Sequence, residues 1–257
     1  MAVIGIFDSG VGGLSVFKEV KRLMPDASYV YYGDNANCPY GPKGAEFIIE
    51  RARTIAGILM ERDVDAIVIA CNTATSYAAA VLREELDIPV IGMVPAVKPA
   101  ALSTQTGVVG VLATMGTLNG PLYQHIRDTY GNGARIMEHI GVGFVELVEA
   151  FELSGPKAEL VVRESIEDMV LSGADSLVLG CTHYPFLKNT IEKVANELKP
   201  ANVPHVAVID PAPAVARHLR NVLLERGCDL AEPDPFVELL SSGSDEVLVK
   251  LYTEFVK

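Results

Sequence analysis

Two cysteines in this chain occupy matching local settings. Residues 65–75 read DAIVIACNTAT, with Cys71 closing an aliphatic run, and residues 175–184 read DSLVLGCTHY, with Cys181 closing another. Each run has the continuous apolar character of a buried parallel strand. The C-terminal ends of such strands are where open α/β sheets place their chemistry. A thiol takes or gives a proton there once its surroundings tune it away from its ordinary pKa of about 8.5. Two such thiols, far apart in sequence, describe two acid/base groups serving one substrate. Inversion of a carbon centre by proton removal on one face and return on the other requires that arrangement. A buried cysteine is also a common small hydrophobe. The Asn72-Thr73 and Thr182-His183 pairs directly after these two set them apart from Cys38, in a Gly/Pro loop, and from Cys228, read as structural or incidental near a helix end.

Other residues fit the same chemistry. Residues 8–15, DSGVGGLS, follow the first apolar run and open a helix, so glycines allow close backbone approach and helix-start N–H groups face an anion. The glycine spacing is not that of a dinucleotide fingerprint, and the Lys-Ser/Thr of a P-loop is absent. Asp8 reads either as a helix cap or as an acid/base group. Residues 33–42, GDNANCPYGP, must form a loop, in which Tyr40 offers a hydroxyl and Gly41 a backbone N–H. His183 is either a satisfied loop histidine or a proton partner for Cys181, since imidazole titrates near about 6.5. Asp8 beside Cys71 and His183 beside Cys181 would give the two thiols unlike neighbours.

The elements that must position these residues alternate along the chain. Strand-like runs fall at 2–7, 29–32, 66–70, 89–91, 108–112, 135–138, 177–179 and 206–209. Helical spacing of apolar residues lies between the first runs, at Leu14, Phe17, Val20 and Leu23 and at Ala52, Ile55, Ala56 and Leu59, and later over 145–151, 159–171, 187–198 and 213–225. This alternation predicts an α/β fold with mostly parallel sheets and right-handed crossovers. IGIFDSG at 4–10 resembles VGVLATM at 109–115, and each precedes an α/β stretch that ends in a cysteine-bearing strand, so the halves read as a pseudo-repeat. Segments 93–107 and 201–213 read as crossings between two lobes, giving a first lobe of 1–95 plus 210–257 and a second of 96–209. The expected ligand site is the cleft between them.

The composition narrows the class further. At 257 residues and 49% hydrophobic, the chain can bury a large core in two domains. A net charge of −12 argues against nucleic acid or an anionic membrane as a partner. No apolar stretch reaches membrane-span length and the start lacks a signal-peptide pattern, so a cytoplasmic protein with reduced thiols is expected. No Cys/His spacing suggests a metal site.

Taken together, DSGVGG at 8–13, PYG at 39–41, CNTA at 71–74, VPA at 94–96 and GCTHYP at 180–185 resemble the glutamate racemases of the aspartate/glutamate racemase family, in order and over most of the chain. Aspartate racemases usually carry Glu where this chain has His183, which favours glutamate. The resemblance implies two similar α/β lobes related by pseudo-twofold symmetry, with the active site in the cleft. It implies cofactor-independent 1,1-proton transfer between L- and D-glutamate, supplying D-glutamate for peptidoglycan, and a homodimer. Cys71 would remove the α-proton of D-glutamate and Cys181 that of L-glutamate. Asp8 and His183 match auxiliary acid/base positions, and Glu149 matches a family Glu near the second thiol. Ser9, Tyr40, Gly41, Asn72, Thr73 and Thr182 match substrate-binding positions. The chain departs from the family pattern at Gly141-Val142-Gly143, just before Glu149, and at Asn37, where Arg is common.

An amino-acid α-proton is a very weak acid, and no lysine flanks either cysteine motif to hold a pyridoxal electron sink. Stabilisation of the carbanionic transition state would then fall to preorganised hydrogen bonds in a dry site. Two other readings compete: racemisation of aspartate or a hydantoin on the same scaffold, and a flavodoxin-like binding module whose cysteines are core residues. Proton exchange across several amino acids in deuterated water separates the first, and thiol alkylation with and without ligand the second.

Overall fold

The computed structural model describes residues 2–131, 133–231 and 233–257. In chain order the elements are β1 (Val3–Asp8), α1 (Leu14–Leu23), β2 (Ser28–Gly33), α2 (Ala45–Met60), β3 (Ala66–Ile69), α3 (Asn72–Glu85) and β4 (Val90–Ile91). There follow α4 (Val97–Ser103), β5 (Val108–Ala113), α5 (Met115–Leu118), α6 (Pro121–Tyr130), β6 (Arg135–Ile140), α7 (Phe144–Glu149), α8 (Pro156–Leu171), β7 (Ser176–Gly180), α9 (Lys188–Leu198) and β8 (Ala207–Ile209). The chain ends with α10 (Ala212–Glu225), β9 (Val237–Ser241) and α11 (Glu246–Phe255). These elements form two compact units, one of Met1–Met93 with Ala212–Lys257 and one of Val94–Pro211.

In the first unit the strands lie in the order β4-β3-β1-β2-β9, all parallel. Alternation along β1 and β2 divides the core. Phe7, Val30 and Tyr32 face a cluster with Ile48, Ala52, Ile55 and Leu59 of α2 and Ala78 and Leu82 of α3. The aromatic side chains of Tyr29 and Tyr31 meet Phe17 of α1 instead, with ring centroids 5.0 and 5.9 Å away. Every one of these side chains is buried, so a one-residue slip in either strand would exchange the two sets between faces.

The second unit carries the order β6-β5-β7-β8, again all parallel. Numbering each unit's strands from its own start gives the shared order 2-1-3-4, with β9 added beside β2 in the first unit. The pseudo-repeat expected from the sequence is therefore a repeat of topology. In each unit the order reverses between the first and third strands, β1/β3 and β5/β7, which is the topological switch point where such sheets bind ligands.

The aspartates that begin the two cysteine motifs sit at the other end of their strands. Asp65 Oδ2 accepts the Val3 N–H at 2.8 Å. Asp175 accepts the Thr104 hydroxyl at 2.7 Å and the Gln105 and Thr106 N–H groups at 2.6 and 3.0 Å. Burial pushes the Asp175 carboxyl up, but these bonds and one from Ser176 outweigh it and hold the group below its ordinary value. Both residues pin the start of the third strand to the start of the first, so they build the sheet that presents the cysteines.

Segment 93–107, expected as a crossing, contains α4, whose Val97 and Ala100 pack into the core cluster of the second unit. Five further elements escaped the periodicity reading: α3, α5, α6, α11 and strand β9. No helix among the described residues is long and apolar enough to cross a membrane.

Candidate active site

In the first unit the site begins where β1 ends. Asp8 is fully buried, and its carboxylate accepts N–H bonds from Ser9 at 2.7 Å and Gly13 at 2.6 Å, so it shapes the loop into α1. Gly13 has to be glycine: a Cβ there would stand 2.7 Å from the Asp8 Cβ and 2.8 Å from the Tyr31 hydroxyl. Cys71, two residues past β3, caps α3. Its Sγ accepts the Ala74 N–H at 3.4 Å, which places the partial positive charge of the helix start against the sulfur. The same Sγ lies 3.6 Å from Ser9 Oγ, and Ser9 Oγ lies 3.3 Å from Asp8 Oδ1. A polar chain thus runs from thiol to hydroxyl to carboxylate.

Asn72 follows at the first turn of α3, 2% exposed, and neither atom of its carboxamide has a hydrogen-bond partner among the described residues. Buried amides almost always have partners, because an unmade bond there costs about 1–3 kcal/mol. Thr73 is buried beside it. Tyr40 is also buried, and its hydroxyl donates to Asp34 Oδ2 at 2.5 Å. The phenolic proton expected to face a ligand is committed to a carboxylate, which leaves the Tyr40 oxygen as an acceptor and Gly41, partly exposed, as the backbone donor of that turn.

In the second unit Cys181 directly follows β7. Gly180 before it is forced by close packing, since a Cβ would fall 2.7 Å from the Ala113 Cβ and 3.0 Å from the Leu112 carbonyl oxygen. Cys181 Sγ lies 3.9 Å from His183 Nδ1, and His183 Nε2 lies 2.8 Å from Glu149 Oε1 at the end of α7. The carboxylate can only accept, so Nε2 carries the proton and Nδ1 is left to face the thiol. Cys181, Thr182 and His183 are all buried, while Glu149 is about a third exposed at 32%. Tyr184, buried beside Cys181, stacks edge-on against Phe144 at 4.9 Å, and burial first and the neighbouring thiol second push its hydroxyl well above the ordinary range. Gly141, where the chain departs from the family pattern, has its carbonyl 3.5 Å from that hydroxyl, and a Cβ there would fall 2.7 Å from it.

The structure therefore gathers Asp8, Ser9, Tyr40, Gly41, Cys71, Asn72 and Thr73 in the first unit and Glu149, Cys181, Thr182 and His183 in the second. Thr114 was missed in the sequence. In the register of the second sheet Leu112 pairs with Leu179, as Phe7 pairs with Ile69 in the first, so Thr114 holds the place of Ser9. It caps α5 through the Thr117 N–H at 3.3 Å, and the two hydroxyls lie 3.1 Å apart. The alignment of residues 4–10 with 109–115 held this signal.

Fold and site define an α/β protein that carries one strand-end thiol at the switch point of each of two repeated parallel sheets. The chain belongs to the Asp/Glu/hydantoin racemase family, whose model matches residues 9–219, and it is accordingly an isomerase. The glutamate racemase of Pseudomonas aeruginosa PAO1 is 45% identical over 226 residues, covering 88% of this chain and 83% of that protein. The crystal structure of glutamate racemase isoform RacE1 from Bacillus anthracis superposes with a TM-score of 0.84 at 32% identity, covering 98% of this chain and 93% of that one. Escherichia coli glutamate racemase, solved with L-glutamate and the activator UDP-MurNAc-Ala, gives 0.83 at 32% identity, with 99% and 95% coverage.

Proposed function

We propose that the protein interconverts L- and D-glutamate by cofactor-independent 1,1-proton transfer, with Cys71 and Cys181 as the two acid/base groups. In this reading Cys71 takes the α-proton of D-glutamate while Cys181 delivers one to the opposite face, and the roles exchange for L-glutamate. Removal and return on opposite faces inverts the centre in one passage. Asp8, through Ser9, tunes Cys71; His183, oriented by Glu149, serves Cys181. Asn72, Thr73, Thr182, Thr114 and the Tyr40–Gly41 turn bind the substrate's charged groups. The D-glutamate formed would supply peptidoglycan synthesis.

The observation that carries the reading is the pair of buried strand-end thiols, each ending its own polar chain, to Asp8 in one unit and to Glu149 in the other. Family membership and the glutamate racemase relatives support the choice of substrate. The buried, unpartnered amide of Asn72 supports a ligand next to Cys71. The test is circular dichroism of D-glutamate incubated with pure protein and no pyridoxal phosphate. Decay of the signal to zero is expected, unaffected by hydroxylamine treatment of the protein. A static signal, or activity that appears only with added pyridoxal phosphate, refutes the reading.

A further inference from the structure

Asp34 lies just past β2 with no exposed surface, and its N–H donates to the Asp8 carbonyl oxygen at 2.9 Å. An ionised carboxylate is costly to bury unless it is paired and hydrogen-bonded. Here Arg51 of α2 reaches it as a fork, Nη2 to Oδ1 at 2.8 Å and Nε to Oδ2 at 3.0 Å. Asn37 Nδ2 donates to Oδ1 at 3.0 Å, and the Tyr40 hydroxyl donates to Oδ2 at 2.5 Å. Burial opposes ionisation of Asp34, but the bonds from Arg51, Tyr40, Asn37 and Ser242 overcome it and hold the carboxyl below its ordinary value. Burial and the same carboxylate push the Tyr40 hydroxyl far above the usual phenol range, so it remains a phenol.

One donor on Tyr40 therefore has one fixed acceptor. The Tyr40 ring is held edge-on against Phe47 at 6.2 Å, and its carbonyl accepts the Lys43 N–H at 2.9 Å to close the turn through Gly41. A tyrosine whose hydroxyl and ring are both tied cannot swing, and the backbone that follows it is fixed with it. Tyr40 and Cys71 belong to one buried cluster of the first unit, which places the network beside the thiol site.

We propose that Asp34 and Arg51 are positioning residues for substrate binding, acting through Tyr40: Asp34, oriented by Arg51, accepts its one hydroxyl proton and so fixes the turn that presents the Gly41 N–H. The inference rests on the glutamate racemase reading and deepens it. Arg51 serves by keeping Asp34 an acceptor, and its fork geometry, which a lysine lacks, sets the direction of the carboxylate.

The experiment is a kinetic double-mutant cycle on the whole chain, with Asp34→Asn, Tyr40→Phe, their combination, and Arg51→Lys. Initial rates are measured in both directions over a range of glutamate concentrations. Replacing a charged acceptor with a neutral one should raise KM about tenfold in Asp34→Asn, with kcat within about threefold of the wild type. Tyr40→Phe should do the same, and Arg51→Lys should fall between. The combined variant should be no worse than the poorer single variant, because both changes remove one interaction. Thermal melts accompany each protein; if Asp34→Asn does not fold, Arg51→Lys with Tyr40→Phe completes an equivalent cycle. Additive losses, or a fall in kcat at unchanged KM, overturn the positioning role while leaving the racemase reading intact. A wild type without racemase activity overturns both.

Discussion

Replacing Asn72 with Ala should stabilise the protein while disabling it. The side chain is 2% exposed and its amide has no partner among the described residues, so folding leaves both polar atoms desolvated without compensation. Deleting them removes a penalty of about 1–3 kcal/mol. Against this stands a small cavity, which at about 24 cal/mol per Å³ over roughly 30 Å³ costs about 0.7 kcal/mol. Position 72 is the first residue of α3, where alanine contributes a few tenths more than asparagine through helix propensity. The net expectation is a gain of about 1 kcal/mol, or roughly 2–4 °C in Tm for a chain of this size. The same amide, bonded to a charged substrate, would be worth about 1.5–3 kcal/mol, so kcat/KM should fall about tenfold to a hundredfold. Thermal melts in the absence of glutamate read the first sign, and circular-dichroism kinetics read the second. A variant destabilised by more than about 1 kcal/mol would mean that the amide is already satisfied in the empty protein. Activity within about threefold of wild type would mean that it does not bind substrate.

Cys71→Ala and Cys181→Ala should each abolish racemisation with unchanged far-ultraviolet circular dichroism, and full activity in either variant refutes the two-thiol mechanism. Cys181→Ala, retaining Cys71, should still wash deuterium into D-glutamate from deuterated water, read by NMR, without inverting it. Because Asp8 leads to Cys71 and His183 to Cys181, Asp8→Asn should lower kcat more from D to L, and His183→Asn more from L to D. The equilibrium constant of one holds the two kcat/KM values equal, so only kcat and KM separately can show this asymmetry; equal kcat losses in both directions would assign both groups to a shared transition state. Asp175 has its carboxyl lowered in the folded state, so its ionised form contributes stability above the ordinary carboxylate range. That contribution is lost as pH falls through the folded value. The stability gap between wild type and Asp175→Asn should be full at pH 7 and close in strong acid, as measured by urea unfolding across pH; a gap that widens on acidification refutes the assignment.

Local pattern determined much of this protein. Apolar runs and helical spacing marked eight of the strands and most of the crossover helices, because most of these strands are buried on both faces and must be apolar along their length, which is visible in a few residues. The same pattern placed Cys71 and Cys181 at strand ends, since the aliphatic run stops at each of them and small polar residues follow. Strand β9 could not be found this way. Its VELLS is only partly buried, and it becomes a strand by pairing with β2, some two hundred residues earlier in the chain. Helices α6 and α11 carry mixed surfaces and take their stripe from the neighbours they meet, α4 and α1. The site divides along the same line. Residue types within a motif were legible, the alignment of 4–10 with 109–115 carried Thr114, and the family resemblance put Glu149 near the second thiol, but hydrogen bonds between distant elements were not legible: Glu149 on His183 and Arg51 on Asp34. Asp65 and Asp175 show the converse, adjacent in sequence to the cysteine motifs yet separated from the thiols by the length of a strand. Hydrogen bonds are set by distance in space, and only the packed sheets bring those groups within 3 Å or send them apart.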